Sequence, residues 1–170
     1  MMSRQMKRPR SLSAAAALGS AAALAVGLLI AVVGKASAPV GRYAISSGMV
    51  YDTKTNLSWQ QVISSGMYSQ ADALSYCAAL ELNGASWRLP TMRELLTIVD
   101  ISVAPPGPTI DTVAFPNTPA AFFWSSTAYS GTPENAWSAM FQYGFAYGNT
   151  RTDTSYARCV STGRAAASAR

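Results

Sequence analysis

The 170-residue chain contains no histidine, only two cysteines and just 12% charged residues. Without histidine a serine nucleophile lacks its customary base, and no plausible triad can be assembled. The same absence removes the ligand that would complete a metal site around the cysteines. Two cysteines, Cys77 and Cys159, allow a single intramolecular bridge. Lysine is scarce as well: beyond residue 38 only Lys54 remains, in the turn cluster Asp52-Thr53-Lys54-Thr55-Asn56 and with no sign of burial. No internal repeat suggests a solenoid, and no Gly-x-y run suggests a collagen-like stalk.

An excess of positive charge is missing from the part of the chain that can form a domain. The net charge is +5, from 13 Lys+Arg and 8 Asp+Glu, but Arg4, Lys7, Arg8, Arg10 and Lys35 all precede residue 38. Eight bases then face eight acids, which excludes a basic footprint for nucleic acid or a polybasic patch for anionic lipid. Residues 1–38 have the layout of an export signal: a basic head, an apolar run over residues 14–34, and small residues at Gly34-Lys35-Ala36 and Ala36-Ser37-Ala38. Cleavage after Ala36 is preferred because Pro39 follows Ala38. An uncleaved membrane anchor is the alternative, since about 20 apolar residues span a bilayer. In both cases the basic head stays inside and the rest is exported to the periplasm, cell surface or medium. No cysteine near the cleavage region supports a lipid anchor.

Roughly 130 residues then form one domain over residues 39–163, with 164–170 as a flexible tail. Export permits oxidation, so Cys77 and Cys159 are expected to form a disulfide. The bridge closes a loop of about 82 residues and contributes about 4 kcal/mol in the chain-entropy treatment.

Along this domain, residues 42–45 and 49–51 read as short strands, and Leu57-Ser58-Trp59-Gln60 alternates as a half-buried strand does. A helix capped by Ser69 is expected to run to about Leu82, where Asn83-Gly84 stops it, with Ala73, Tyr76, Cys77 and Leu80 on one face. In Trp87-Arg88-Leu89-Pro90-Thr91-Met92-Arg93-Glu94-Leu95-Leu96 the spacing predicts a capping box between Thr91 and Glu94 and a helix beginning at Met92. Pro90 is placed to pack on Leu95, and Met92, Leu95, Leu96 and Val99 recur at helical spacing to form a core face. Five prolines between residues 101 and 119 predict a long ordered loop. Residues 122–126 and 136–141 read as aromatic strands, and Gln142-Tyr143-Gly144 as a hairpin turn into 145–147. A strand over 156–160 closes the sheet. From Ser161 the composition falls to Ala, Ser, Gly and Arg, as a mobile tail has. The sum is an α+β domain with two helices flanking short antiparallel strands.

The ordered blocks Asp52-x-x-Thr55-x-Leu57-x-Trp59-Gln60, Tyr76-Cys77 and Trp87-Arg88-Leu89-Pro90-Thr91-x-x-Glu94-Leu95 resemble the Lcl C-terminal domain family. Ile110-Asp111-Thr112, Phe115-Pro116-Asn117-Thr118-Pro119, Trp124-Ser125-Ser126-Thr127, Ala136-Trp137 and Arg158-Cys159-Val160 continue the resemblance, which covers about residues 51–160. It implies a C-type-lectin-like fold and a secreted or surface location. For the collagen-like adhesin that names the family it implies binding of sulfated glycosaminoglycans and trimeric assembly. Arg88, Arg93, Arg151 and Arg158 are the cations available to cluster for such a polyanion.

A carboxylate pair for glycoside hydrolysis would come from Glu94, Asp100, Asp111, Glu134 and Asp153. Glu94 is better read as a helix cap, and Asp100 and Asp111 as pins for the loop they border. Calcium lectins use Glu-Pro-Asn and Trp-Asn-Asp blocks; here Pro133-Glu134-Asn135 stands in another order and Trp-Asn-Asp is missing, so no metal or other cofactor is expected. Aromatic residues remain: Trp124, Trp137, Phe141, Tyr143, Phe145 and Tyr147. Trp59, Trp87, Trp124 and Trp137 are expected in the core, whereas Tyr143 and Tyr147, each beside a turn glycine, together with Arg151 are the candidate contact residues. The expected function is a non-enzymatic adhesion or binding module that recognises an extracellular glycan or surface protein through its loops and aromatic hairpin. A carboxylate-dependent enzyme on envelope polysaccharide and a purely structural envelope domain are the alternatives.

Overall fold

The computed structural model describes residues 38–164. The segment expected as signal or anchor lies outside the described residues apart from Ala38, and so do residues 165–170 of the expected tail. Among the described residues no helix is long and apolar enough to cross a membrane.

The chain runs through β1 (Tyr43–Ser46), β2 (Met49–Asp52), β3 (Leu57–Gln60), α1 (Gln70–Ala78), α2 (Met92–Thr97), β4 (Phe122–Ala128), β5 (Asn135–Met140), β6 (Phe145–Thr150) and β7 (Val160–Thr162). Two antiparallel sheets result, one in the order β1-β2-β3-β7 and the other β4-β5-β6. The expected α+β class is what the chain forms. All four residues of β3 are buried, where a half-buried strand was expected. β3 is central, between β2 and β7, and both its faces are covered: Leu57 and Trp59 enter the main core. On the other side, Ser58 donates to the Gly163 carbonyl at 2.8 Å and Gln60 to the Tyr76 hydroxyl at 2.7 Å.

Ser69 caps α1, its hydroxyl accepting from the Asp72 amide at 3.2 Å. The helix ends at Ala78 rather than near Leu82. Two hydrogen bonds draw the chain away from the helical path: the Trp87 indole donates to the Leu82 carbonyl at 2.9 Å, and the Asn83 carboxamide to the Ser47 carbonyl at 2.7 Å. Leu80 and Leu82 are thereby packed around Trp87 and the disulfide. In α2 the capping box is present as the spacing requires, with the Glu94 amide donating to Thr91 Oγ1 and the Thr91 amide to Glu94 Oε2. Its core face differs from the expected one. The helix stops at Thr97, so Ile98 turns inward as the C-cap and is buried, while Leu96 is 39% exposed.

The two helices cover opposite faces of β4-β5-β6. Phe123 and Ala139 point to one face and join Met92, Leu95 and Ile98 in the main core. Trp124 and Ala136 point to the other and pack with Ala73, Cys77, Trp87 and Leu89. Between the helical and sheet halves, residues 101–121 form the expected ordered loop. The Asp100 amide donates to the Thr109 carbonyl, and the Thr109 amide and hydroxyl both donate to the Phe141 carbonyl, at 2.7 and 2.8 Å. Gly107 passes so close to β5 that a Cβ there would lie 2.6 Å from the Phe141 oxygen. That contact is with backbone, so only glycine fits.

The closing segment is more than a strand. Tyr156 bridges to β4 in parallel, Cys159 accepts from the Gln60 amide at 3.0 Å, and Val160 exchanges backbone bonds with Arg88 at 2.9 Å each way. Regular strand begins only at Val160, and Ser161 and Thr162 belong to β7 rather than to a tail. Arg158, between these attachments, is fully buried. Its Nη1 donates to the Gln60 and Gln61 carbonyls and Nη2 to Thr118 Oγ1, each at 2.7 Å, and its guanidinium lies 4.8 Å from the Phe115 ring centroid. The neighbouring Cys159 is joined to Cys77, fixing α1 to this segment.

Two stability predictions follow from these ties. Reducing the Cys77–Cys159 bridge, or replacing both cysteines with serine, is expected to lower unfolding free energy by about 4 kcal/mol. Urea denaturation with and without reductant measures it, and coincident curves would contradict the assigned role. The second concerns Glu94, whose carboxyl is pushed down from 4.5 to about 2, chiefly by its hydrogen bond to Arg88. A folded-state value below the unfolded one means this stabilisation is complete above about pH 4.5 and fades as pH falls toward about 2. Glu94→Gln should therefore be less stable than the native chain at pH 7 and converge with it near pH 2; a constant gap across that range would refute the assignment.

Candidate functional site

The hairpin joining β5 to β6 carries the largest grouping of exposed aromatic side chains. Met140 accepts from the amides of Tyr143 and Gly144 at 3.3 and 2.8 Å, which fixes the turn. Beyond it, Phe145 and Tyr147 alternate to one face of β6. Tyr143, Phe145 and Tyr147 are 49%, 45% and 53% exposed. Tyr143 stacks on Phe145 at 5.9 Å with 8° between planes, Phe145 meets Tyr147 edge-on at 6.5 Å, and Phe122 of β4 supports Tyr147 at 5.8 Å. Because β6 is the sheet edge, the row stands beside an unpaired strand edge. Ser138 holds the strand from beneath: its hydroxyl donates to the Tyr147 carbonyl at 3.1 Å and accepts from the Asn149 carboxamide at 3.0 Å.

Arg151 is placed differently from the two tyrosines it was grouped with. Its Nε donates to the Pro133 carbonyl at 2.9 Å and Nη1 donates to Gln70 Oε1. Its backbone bonds Glu134 and Gln70. It ties the β4–β5 turn to the start of α1, beyond the far end of the aromatic row.

The four arginines considered as a cluster do not form one. Arg158 is internal, and Arg88 makes a two-pronged pair with Glu94 at 2.8 and 2.6 Å. That pair raises the Arg88 pKa, through the hydrogen bond to Glu94. Arg93 is exposed by itself on α2. The carboxylates are similarly distributed. Asp100 accepts from the amide and hydroxyl of Ser102, and Asp111 accepts from the amides of Val113, Ala114 and Ala38. Asp52, buried, takes both Nε and Nη2 of Arg42. Glu134 and Asp153 are exposed. Among the described residues no three His, Cys, Asp or Glu side chains converge as metal ligands.

On the opposite face of the same sheet lies a concavity of ≈ 400 Å³ that the sequence did not single out. Trp137 forms its wall, half-buried rather than sealed in the core as expected, and Tyr129 leans against it with ring centroids 4.7 Å apart and planes at 51°. Tyr129 can do so because residue 148 is glycine: a Cβ there would come within 2.8 Å of the Tyr129 ring. Gly148, expected as a turn glycine after a strand ending at 147, lies instead within β6 opposite Trp137, because the strand continues to Thr150.

Comparison with known families decides the chain's affiliation: the sequence pattern of the Lcl C-terminal domain matches residues 48–161. The chain belongs to the Lcl C-terminal domain family. No curated protein matches it. The matched region of this Lcl C-terminal domain begins at the turn into β2, ends in β7, and takes in the disulfide, the aromatic row and the Tyr129–Trp137 concavity. In this Lcl C-terminal domain, Gly148→Ala should displace Tyr129 from Trp137 at a cost of about 1–3 kcal/mol. Near-UV circular dichroism and denaturation report the change; an unaltered aromatic spectrum would show that the ring does not rest on Gly148.

Proposed function

We propose that this Lcl C-terminal domain is an exported binding module that recognises a glycan or surface protein through its β5–β6 hairpin. The observation carrying the reading is the row Tyr143, Phe145 and Tyr147: three rings about half exposed, the first two stacked and the last two edge-to-face, held on a strand edge. Exposed aromatic groups on a fixed backbone lose little freedom on binding, and they offer both apolar area and hydroxyl hydrogen bonds. Export is supported by the basic and apolar composition of residues 1–38 and by the Cys77–Cys159 bridge, which an oxidising compartment favours. We read the fold as C-type-lectin-like, supported by two helices against short antiparallel sheets and by a last strand returning beside the early strands. A hydrolytic role draws no comparable support, because Glu94, Asp100 and Asp111 spend their oxygens on Arg88, Ser102 and backbone amides.

Replacing Tyr143 and Tyr147 together with alanine should weaken binding at least about tenfold while leaving stability within about 0.5 kcal/mol, since both side chains are exposed. A glycan array covering neutral, sialylated and sulfated saccharides, followed by calorimetry on any hit, measures the effect. A ligand whose affinity survives the double replacement would move recognition away from the hairpin.

A further inference from the structure

We propose that the concavity between Tyr129 and Trp137 is a subsite for one uncharged pyranose ring, an inference that rests on the glycan side of the reading above. The two rings meet at 51° and present apolar surface to an open space of ≈ 400 Å³, within the range of small-molecule sites. The C–H face of a pyranose stacks on such rings, while its hydroxyls need partners that both donate and accept. Three side chains supply them. The Tyr129 and Thr132 hydroxyls and the Asn135 carboxamide border the space, and none hydrogen-bonds another described residue.

The main chain around these groups is already committed. Asn135 donates its amide to the Thr132 carbonyl at 3.0 Å and accepts from the Tyr129 amide at 3.3 Å, closing the turn. Arg151 clamps the same turn through the Pro133 and Glu134 carbonyls, both at 2.9 Å. The side chains are thus presented by a fixed loop on a fixed strand, and little ordering remains to be done on binding. The choice of an uncharged sugar comes from the lining, none of whose seven residues, Tyr147 included, carries a charge. A sulfate or carboxylate would lose hydration there with no cation to meet it.

The test is a residue-resolved NMR titration of the full chain with its disulfide intact. The probes are methyl glucoside, methyl galactoside, methyl mannoside and N-acetylglucosamine, with glucuronate and 6-sulfated N-acetylglucosamine as anionic counterparts. The expected result is saturable amide shifts at Thr132–Trp137 and at Ala146 and Gly148 with at least one neutral sugar. Asn135→Ala should weaken that binding roughly five- to tenfold, the loss of one or two hydrogen bonds, at an unchanged unfolding midpoint. Saturable shifts confined to Tyr143 and Phe145 would overturn the subsite while leaving glycan recognition by the hairpin standing. Tighter binding by the anionic sugars at the concavity would overturn its neutrality. The absence of saturable shifts with every sugar would overturn both the subsite and the glycan reading.

Discussion

The guanidinium of Arg158 is sealed inside the domain with no carboxylate against it among the described residues, so its charge is met by two carbonyls, one hydroxyl and the face of Phe115. Burial pushes its pKa down to about 9, which still leaves it protonated at neutral pH. A buried cation is tolerable only where its acceptors are held in place, because any that swing away leave charge unsolvated. Those acceptors belong to the end of β3 and to the proline-rich loop. Arg158 therefore couples the first sheet to that loop: neither can shift without stripping an acceptor from the charge, and the Phe123 ring of β4 lies 5.9 Å from the same guanidinium. Its Nε has no hydrogen-bond partner, so the arrangement has little to spare.

Packing on both faces determines what the β4-β5-β6 sheet can present. One face is closed by α1, the disulfide and Trp124, the other by α2 and the main core. On β6, Phe145 and Tyr147 are about half exposed. Successive β6 residues offer different chemistry: Phe145 and Tyr147 give a flat aromatic strip, whereas Ala146 and Gly148 floor a polar-rimmed hollow beneath Tyr129 and Trp137.

Local features of this architecture were legible in the sequence, and distant ones were not. The Thr91–Glu94 capping box needs only four consecutive residues, and Ser69 caps α1 on equally local grounds. The end of α1 is not local in this way, because it depends on Trp87 donating to the Leu82 carbonyl and Asn83 donating to the Ser47 carbonyl, contacts no periodicity reveals. Ile98 rather than Leu96 is buried because the helix stops at Thr97, two residues short of Val99, where its apolar pattern ends. Arg158 looked like a surface cation by residue type, although Val160 two positions on indicates that its side of the segment faces inward. The aromatic row followed from composition near a turn; Tyr129 did not, since its place is set by a missing side chain nineteen positions along.

The pairing of β3 with β7 has a consequence for how the domain comes into being. β1, β2 and β3 form a meander from neighbouring stretches of chain, in which Trp59 pairs with Val50, yet the partner on its other side is Val160, about a hundred residues along. A polypeptide emerging amino end first must carry that meander with one edge of β3 unpaired until nearly all of the domain has followed. Such distant closure is slow, and it leaves the nascent chain open to mispairing in the meantime. The strand that finishes the first sheet is the last to be made, so order of synthesis, as much as composition, sets when this fold can exist.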